Sequence, residues 1–448
     1  MKHKLFILGA LFLLLTVASC RQESDALYSY GQSDELRFQE ANESYAGEFK
    51  LFWHAMNQNY PLWDYEREFG FDWDAAYDAF LPRFEALDQR LENGEEITDE
   101  EYQSLLDDLV RPLHDSHMIA IFKNHATGND ITADPCALRI YDREDFSVAV
   151  DFYPDLSYYR NEGRVSRYQS ASTITASAIE MYPDYAEKGM ALSSCVIDDG
   201  VAYLEFSEFN LYFYLNKDVD FFPSAPQSVL ALNQTVVDTW NNWFSMIQEM
   251  KKNGTLKGVI IDLRGNTGGL VPDFRYVIGA LIPQDSSLQI GYHREKNGVG
   301  RYDYGPLLPD VRPSLSDPHE TITEPIVVLT NCLSVSMSEV TAMSAKTLSN
   351  GRVVGKRSFG ALGGLIDEPE SYSYTYAGCI GEKGKTPVYV YLPMCASFSM
   401  DKKSYEGVVV EPDIEVDFDK DLFTATGRDT QLERALQYIE TGDKIRVI

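Results

Sequence analysis

From residue 46 the chain spaces its apolar residues with a helical period. The runs "EFKLFWHAMNQNYPLW", "DWDAAYDAFLPRFEAL" and "TDEEYQSLLDDLVRPL" each repeat apolar side chains three or four positions apart, which gathers them on one helix face. In the third run Thr98 stands three residues before Glu101, the spacing of a capping box. A small helical bundle is therefore expected over residues 46–125. Its last part, "HDSHMIAIF", turns apolar without that period and reads as β-structure. Residues 126–195 are mixed, with a strand-like aromatic run "VAVDFYPDLSYY", and predict a small β-rich insert.

Beyond residue 196 the pattern alternates. "GVAYLEFSEF" reads as a strand, and "SVLALNQTVVDTWNNWFSMIQEMKKNG" as a long amphipathic helix stopped by Gly254. "LKGVIIDLRG" and "PIVVLTN" are nearly continuous apolar runs, as in strands buried on both faces. "FRYVIGALI" is expected to be helical, as is "MSEVTAMSAKTLSN" before the strand "RVVGK". Strands alternating with helices predict an α/β core over 196–448.

The first residues carry a different signal. Lys2, His3 and Lys4 precede an apolar run from Leu5 to Val17 that ends in Ala18-Ser19-Cys20. A basic start and a short apolar stretch read as an export signal rather than a membrane span. The small residues before Cys20 look like a bacterial lipobox, which makes residues 1–20 a lipoprotein signal peptide and Cys20 the lipidated residue. Residues 21–45 are polar and acidic, a flexible linker. The expected location is the cell envelope, on a lipid anchor, at the periplasmic or surface face of the outer membrane.

Roughly 400 residues remain, enough for a large core. The formal net charge of −30 argues against nucleic acid as a partner. Of the five cysteines after Cys20, Cys379 and Cys395 flank a hairpin-like stretch and form the best candidate pair.

Two loops could carry chemistry. "VIIDLRGNTGG" sends a buried strand into a glycine-rich turn whose free amides could stabilise a developing oxyanion. Ser336 lies between a strand and a helix start, where the helix dipole and an adjacent free N–H suit a nucleophile. Ser334 and Ser338 compete with it for that role. A serine needs a base near neutral pH, and His117, at the junction of helix and β-run, stands out among the seven histidines. His293 and His319 fall in polar, loop-like stretches.

In order, "GVAYLEFSEF", "VIIDLRGNTGG", "SVSMSEV", "RVVGKRSFGALGG", "YEGVVVEPDIEV" and "RDTQLERALQYI" resemble the catalytic core of the tail-specific (C-terminal processing) and tricorn-type serine peptidases. The N-terminal "DWDAAY" and "TDEEYQSLLDDLVRPLHDSHM" resemble their helical subdomain. The resemblance implies an α/β, crotonase/ClpP-like catalytic core preceded by the helical bundle and the β-rich insert. It implies a serine endopeptidase acting on polypeptides through an acyl-enzyme, with no metal and no organic cofactor. Many members follow a Phe-Gly pair with a lysine base; here Phe359-Gly360 is followed by Ala361. The chain is therefore similar to the histidine-base branch. There Ser336 is the nucleophile, His117 the base, Glu406 the carboxylate that orients it and Ser116 a helper. Gly268 or Gly269, with the Met337 amide, would form the oxyanion hole. Val409 replaces a glycine often found three residues before Pro412, which leaves Glu411 and Asp413 as alternatives to Glu406. Lys346 and Lys356 are the alternatives to a histidine base. No PDZ-type carboxylate-binding loop is found in 126–195. The rival functions are an inactive, peptide-binding pseudopeptidase and an assembly or scaffold lipoprotein.

Overall fold

The computed structural model describes residues 44–140, 143–144, 176–182, 190–298, 300–365, 379–381, 383–404, 406–407 and 409–442. Cys20, the export signal, nearly all of the linker and most of the expected insert lie outside them. In chain order the first helices are α1 (Tyr45–Asn59), α2 (Trp63–Glu68), α3 (Trp73–Glu92) and α4 (Asp99–Val110), followed by β1 (Ile119–Lys123), β2 (Asp130–Ala133) and α5 (Pro135–Ile140). Next come β3 (Ala176–Tyr182), β4 (Leu192–Ile197), β5 (Val201–Phe206), α6 (Leu211–Leu215), α7 (Gln227–Asn253) and β6 (Gly258–Asp262). After them lie β7 (Ser287–Glu295), β8 (Leu308–Pro313), β9 (Ile326–Thr330), α8 (Met337–Thr347) and β10 (Gly351–Gly355). The last are β11 (Cys379–Ile380), β12 (Val388–Tyr391), β13 (Cys395–Phe398), β14 (Ile414–Glu415), α9 (Lys420–Thr426) and α10 (Thr430–Thr441).

The chain gathers into two compact units. One takes its residues from 1–138, 294–306 and 364–396. Here the helical spacing of the sequence becomes packing: Phe49 stacks on Phe84 at 4.6 Å between α1 and α3, and Trp63 meets Trp73 at 5.1 Å. Thr98 caps α4, its Oγ1 accepting from the Glu101 amide at 3.2 Å, as the capping-box spacing requires. A four-stranded sheet in the order β11-β12-β1-β2 completes the unit.

The other unit takes 139–293, 307–363 and 397–448 and is built on a seven-stranded sheet in the order β14-β10-β9-β6-β5-β4-β3. Strands β10, β9, β6 and β5 run parallel, while β5–β4 and β4–β3 are antiparallel. All five residues of β6 and of β9 are buried, which their unbroken apolar sequence anticipates. Alternate side chains serve opposite faces. Val259 and Ile261 join Trp240, Trp243 and Ile247 of α7 and Ala342 of α8 in one core. Ile260 joins Leu432 and Ala435 of α10 in the other. Each fully buried aliphatic side chain contributes roughly 1.5–3 kcal/mol. This mixed α/β architecture agrees with the expected fold class.

Three local expectations are corrected. In place of the helix expected in "FRYVIGALI" there is a short 3-10 helix, Val271–Tyr276, followed by turns. Its apolar residues are buried because the segment passes under α7, where Trp240 Nε1 donates to Tyr276 O at 3.0 Å. The Cys379–Cys395 bridge is not formed: all five described cysteines are thiols, and these two lie on strands of different sheets. His293 lies in β7 rather than in a loop.

Candidate active site

Two loops leave the C-terminal ends of the neighbouring parallel strands β6 and β9, the edge of an α/β sheet where sites usually form. The root of the first is a buried ion-pair network. Arg264 donates from Nε to Asp262 Oδ1 at 2.9 Å and from Nη1 to Asp429 Oδ1 and Gln431 Oε1, both at 2.9 Å. Tyr203 Oη donates to Asp262 Oδ2 at 2.9 Å. Asp429 is in turn the N-cap of α10, so the Asp-Leu-Arg run ties the loop to the last helix.

Side chains then join the two loops. Asn266 is buried; its Oδ1 accepts from the Gly268 amide at 2.8 Å and from Ser338 Oγ at 2.7 Å. Asn331 Oδ1 accepts from the Gly265 amide at 3.1 Å and the Leu333 amide at 3.0 Å. The Val335 amide donates to Asn266 O at 3.0 Å.

Glycine is required at 268 on two grounds. Its φ is +87°, and a Cβ there would stand 2.6 Å from Val335 O, 2.7 Å from Ser336 Cβ and 2.9 Å from Met337 N. The glycine loop thus lies directly against Ser336 and the first amide of α8. Gly268 N–H is already given to Asn266. Among the described hydrogen bonds neither the Gly269 nor the Met337 amide has an acceptor. For Met337 this follows from its place in the first turn of α8, where amides have no partner inside the helix.

The three candidate serines separate by burial. Ser334 is buried, with Oγ donating to Leu263 O at 2.8 Å and accepting from the Asn331 amide at 3.0 Å. Ser338 is buried and committed to Asn266. Ser336 is half-buried, sits at the N-cap of α8 and holds φ +54°, ψ −111°. That left-handed backbone is strained for a residue with a side chain and is a feature of functional sites.

Two further carboxylates meet the loop after β10. Glu339, fully buried, takes the Ser336 amide (3.0 Å) and the Ala361 amide (2.8 Å) on Oε2. Its Oε1 takes the Gly360 amide (2.7 Å) and Ser358 Oγ (2.5 Å). Burial raises its pKa, and these four donors pull it back. Glu406, also fully buried, accepts the Leu362 amide at 2.8 Å and the Gly363 amide on Oε2. Arg143 braces the same loop through the carbonyls of Ser358 (3.1 Å) and Phe359 (2.5 Å).

The alternative residues are engaged elsewhere. Lys346 Nζ binds Asp413 Oδ1 at 2.7 Å, and Asp413 Oδ2 accepts the Val353 amide at 2.8 Å. Lys356 Nζ binds Glu415 at 2.6 Å and Asp417 at 2.8 Å, which raises its pKa and keeps it an ammonium.

His117 and Ser116 belong to the helical unit, between α4 and β1. Buried Asp115 accepts the amides of His117 at 2.7 Å and Met118 at 2.8 Å on Oδ1, which fixes the turn. Burial lowers the His117 pKa, opposed by the Asp115 carboxylate. The neighbouring His114 is held by Glu66, with Nδ1 2.9 Å from Oε2, and stacks on Phe69. So Ser336, Met337, Gly268, Gly269 and Glu406 share one unit, His117 and Ser116 lie in the other, and Cys20 is outside the described residues.

Sequence reasoning missed Asn266, Asn331, Glu339 and Ser358. Glu339 alone carried a signal, three residues after Ser336 at a helix start.

The fold is similar to that of a candidate peptidase from Parabacteroides merdae, with TM-score 0.53 and 18% identity over 88% of this chain and 96% of that one. It is also similar to mature CPAF, with TM-score 0.54 and 13% identity over 92% of this chain and 99% of that one. No curated protein sequence matches this chain. Residues 200–416, which hold both site loops, match the model of Peptidase family S41. Over these residues the chain is similar to Peptidase family S41, and it is a serine peptidase.

Proposed function

We propose that the chain is an exported, lipid-anchored endopeptidase that hydrolyses polypeptides through an acyl-enzyme on Ser336. The observation that carries this reading is the strained Ser336 elbow, with Gly268 packed on it and the two neighbouring serines buried and committed. His117 takes the Ser336 hydroxyl proton as Oγ attacks the peptide carbonyl, and Glu406 stabilises the resulting imidazolium, with Ser116 assisting. The Met337 amide, with that of Gly268 or Gly269, holds the oxyanion; Gly269 is favoured because Gly268 N–H is given to Asn266. His117 then passes the proton to the leaving amine, and water releases the acyl group by the same steps in reverse. The lowered pKa of His117 keeps it a neutral base at physiological pH. Neither nucleic acid nor a cofactor enters this scheme.

A fluorophosphonate serine probe tests it, applied to the parent, Ser336→Ala and His117→Ala proteins side by side. Labelling of the parent alone is expected. Equal labelling of the Ser336→Ala protein would refute the nucleophile, and equal labelling of His117→Ala the base. In cells, fatty-acid incorporation that persists in Cys20→Ala would refute the anchor.

A further inference from the structure

Glu339 has no part in the proposed triad, yet four donors from two segments converge on it. Oε2 bridges the amides of Ser336 and Ala361, and Oε1 bridges the amide of Gly360 and the hydroxyl of Ser358. We infer that Glu339 is a positioning residue whose carboxylate clamps the Ser336 elbow to the Ser358–Ala361 loop and so holds the nucleophile in its reactive geometry. The inference rests on the assignment of Ser336 as nucleophile.

A helix-capping role accounts for only part of this. A capping glutamate needs one oxygen on the N-cap amide, and here that leaves the other three donors unexplained. Glutamine would cap as well without the cost of burying a charge. It could not serve four donors, because its single carbonyl oxygen faces two of them and its NH2 would confront the other two. The bond to the Ser336 amide also acts at the strained residue itself, whose φ of +54° needs its surroundings to hold it. The far end of the clamp is anchored independently. Ser358 Oγ accepts the Val410 amide at 2.7 Å, and Glu406 takes the next two amides of the same loop. Loosening Glu339 therefore frees the elbow while the loop stays in place.

The test uses the full chain in four forms: parent, Glu339→Gln, Ser358→Ala and Ser336→Ala. Fluorophosphonate labelling is followed over a range of probe concentrations, and thermal unfolding is recorded for each. A folded Glu339→Gln protein is expected to lose at least tenfold in maximal labelling rate, with the half-saturating concentration within threefold of the parent's. Ser358→Ala, which keeps the carboxylate but removes one of its donors together with the acceptor of the Val410 amide, should lose at least threefold. A parental maximal rate in Glu339→Gln overturns the inference and leaves Ser336 standing. If Glu339→Gln does not fold, Ser358→Ala decides, and a parental rate there overturns the clamp. Absence of labelling in the parent, or its persistence in Ser336→Ala, sinks the nucleophile assignment and the inference with it.

Discussion

Replacing Gly268 by alanine isolates the contact between the glycine loop and the nucleophile elbow. The new Cβ would lie 2.6 Å from Val335 O, 2.7 Å from Ser336 Cβ and 2.9 Å from Met337 N. Ordinary contacts begin near 3.5 Å, so loop and elbow must part by about 1 Å. A displacement of that size between catalytic groups costs about 100-fold in rate. Alanine at φ +87° adds roughly 1–2 kcal/mol of backbone strain. Gly254→Ala is the control. It has φ +67° at the end of α7 and no atom within 4 Å of the new Cβ, so it carries the strain without the collision. Both variants should unfold a few degrees below the parent, at about 2–4 °C per kcal/mol. Second-order labelling constants for the fluorophosphonate probe should fall about 100-fold in Gly268→Ala and stay at the parental value in Gly254→Ala. If the two label within threefold of each other, the packing of Gly268 on Ser336 is not what keeps the serine reactive.

Arg264→Met leaves Asp262 and Asp429 buried without their guanidinium. A loss of about 3–5 kcal/mol is expected in denaturant unfolding, and a change under 1 kcal/mol would show that the network adds nothing to stability. Burial raises the pKa of Asp273 from 3.8 to about 7, against the bonds it accepts from the Tyr212 and Leu211 amides. Folding therefore takes up a proton, so the stability this group contributes is fully present below pH 3.8 and is lost as pH rises through about 7. Asp273→Asn should flatten the fall of melting temperature between about pH 4 and pH 7, and an unchanged slope would remove Asp273 as its source.

The sequence was most informative where burial alone decides structure. The apolar runs of β6 and β9 and the spacing in α1, α3, α4 and α7 each allow one inexpensive arrangement. "FRYVIGALI" failed because its apolar residues are buried under α7 without being helical, and periodicity over so short a run does not separate the two. Ser334, Ser336 and Ser338 looked alike in sequence. They differ in which hydroxyl is committed to a partner from another segment, such as Leu263 O, 71 residues away. Glu339 was passed over for the same reason, since its donors at 358, 360 and 361 become neighbours only through the parallel pairing of β9 with β10.

The tie between Arg264 and the N-cap of α10 also fixes an order of events in the life of the chain. Asp429 and Gln431 lie 165 and 167 residues beyond Arg264, and polypeptides emerge from the ribosome N-terminus first. A nascent chain can lay down β6, β9 and the serine loop, with Arg264 already paired to Asp262, long before Asp429 and Gln431 exist to tie it to α10. The glycine loop therefore gains its tie to α10 only once Asp429 and Gln431 have been made, and a chain cut short before Asp429 would hold the serine without that footing beneath it.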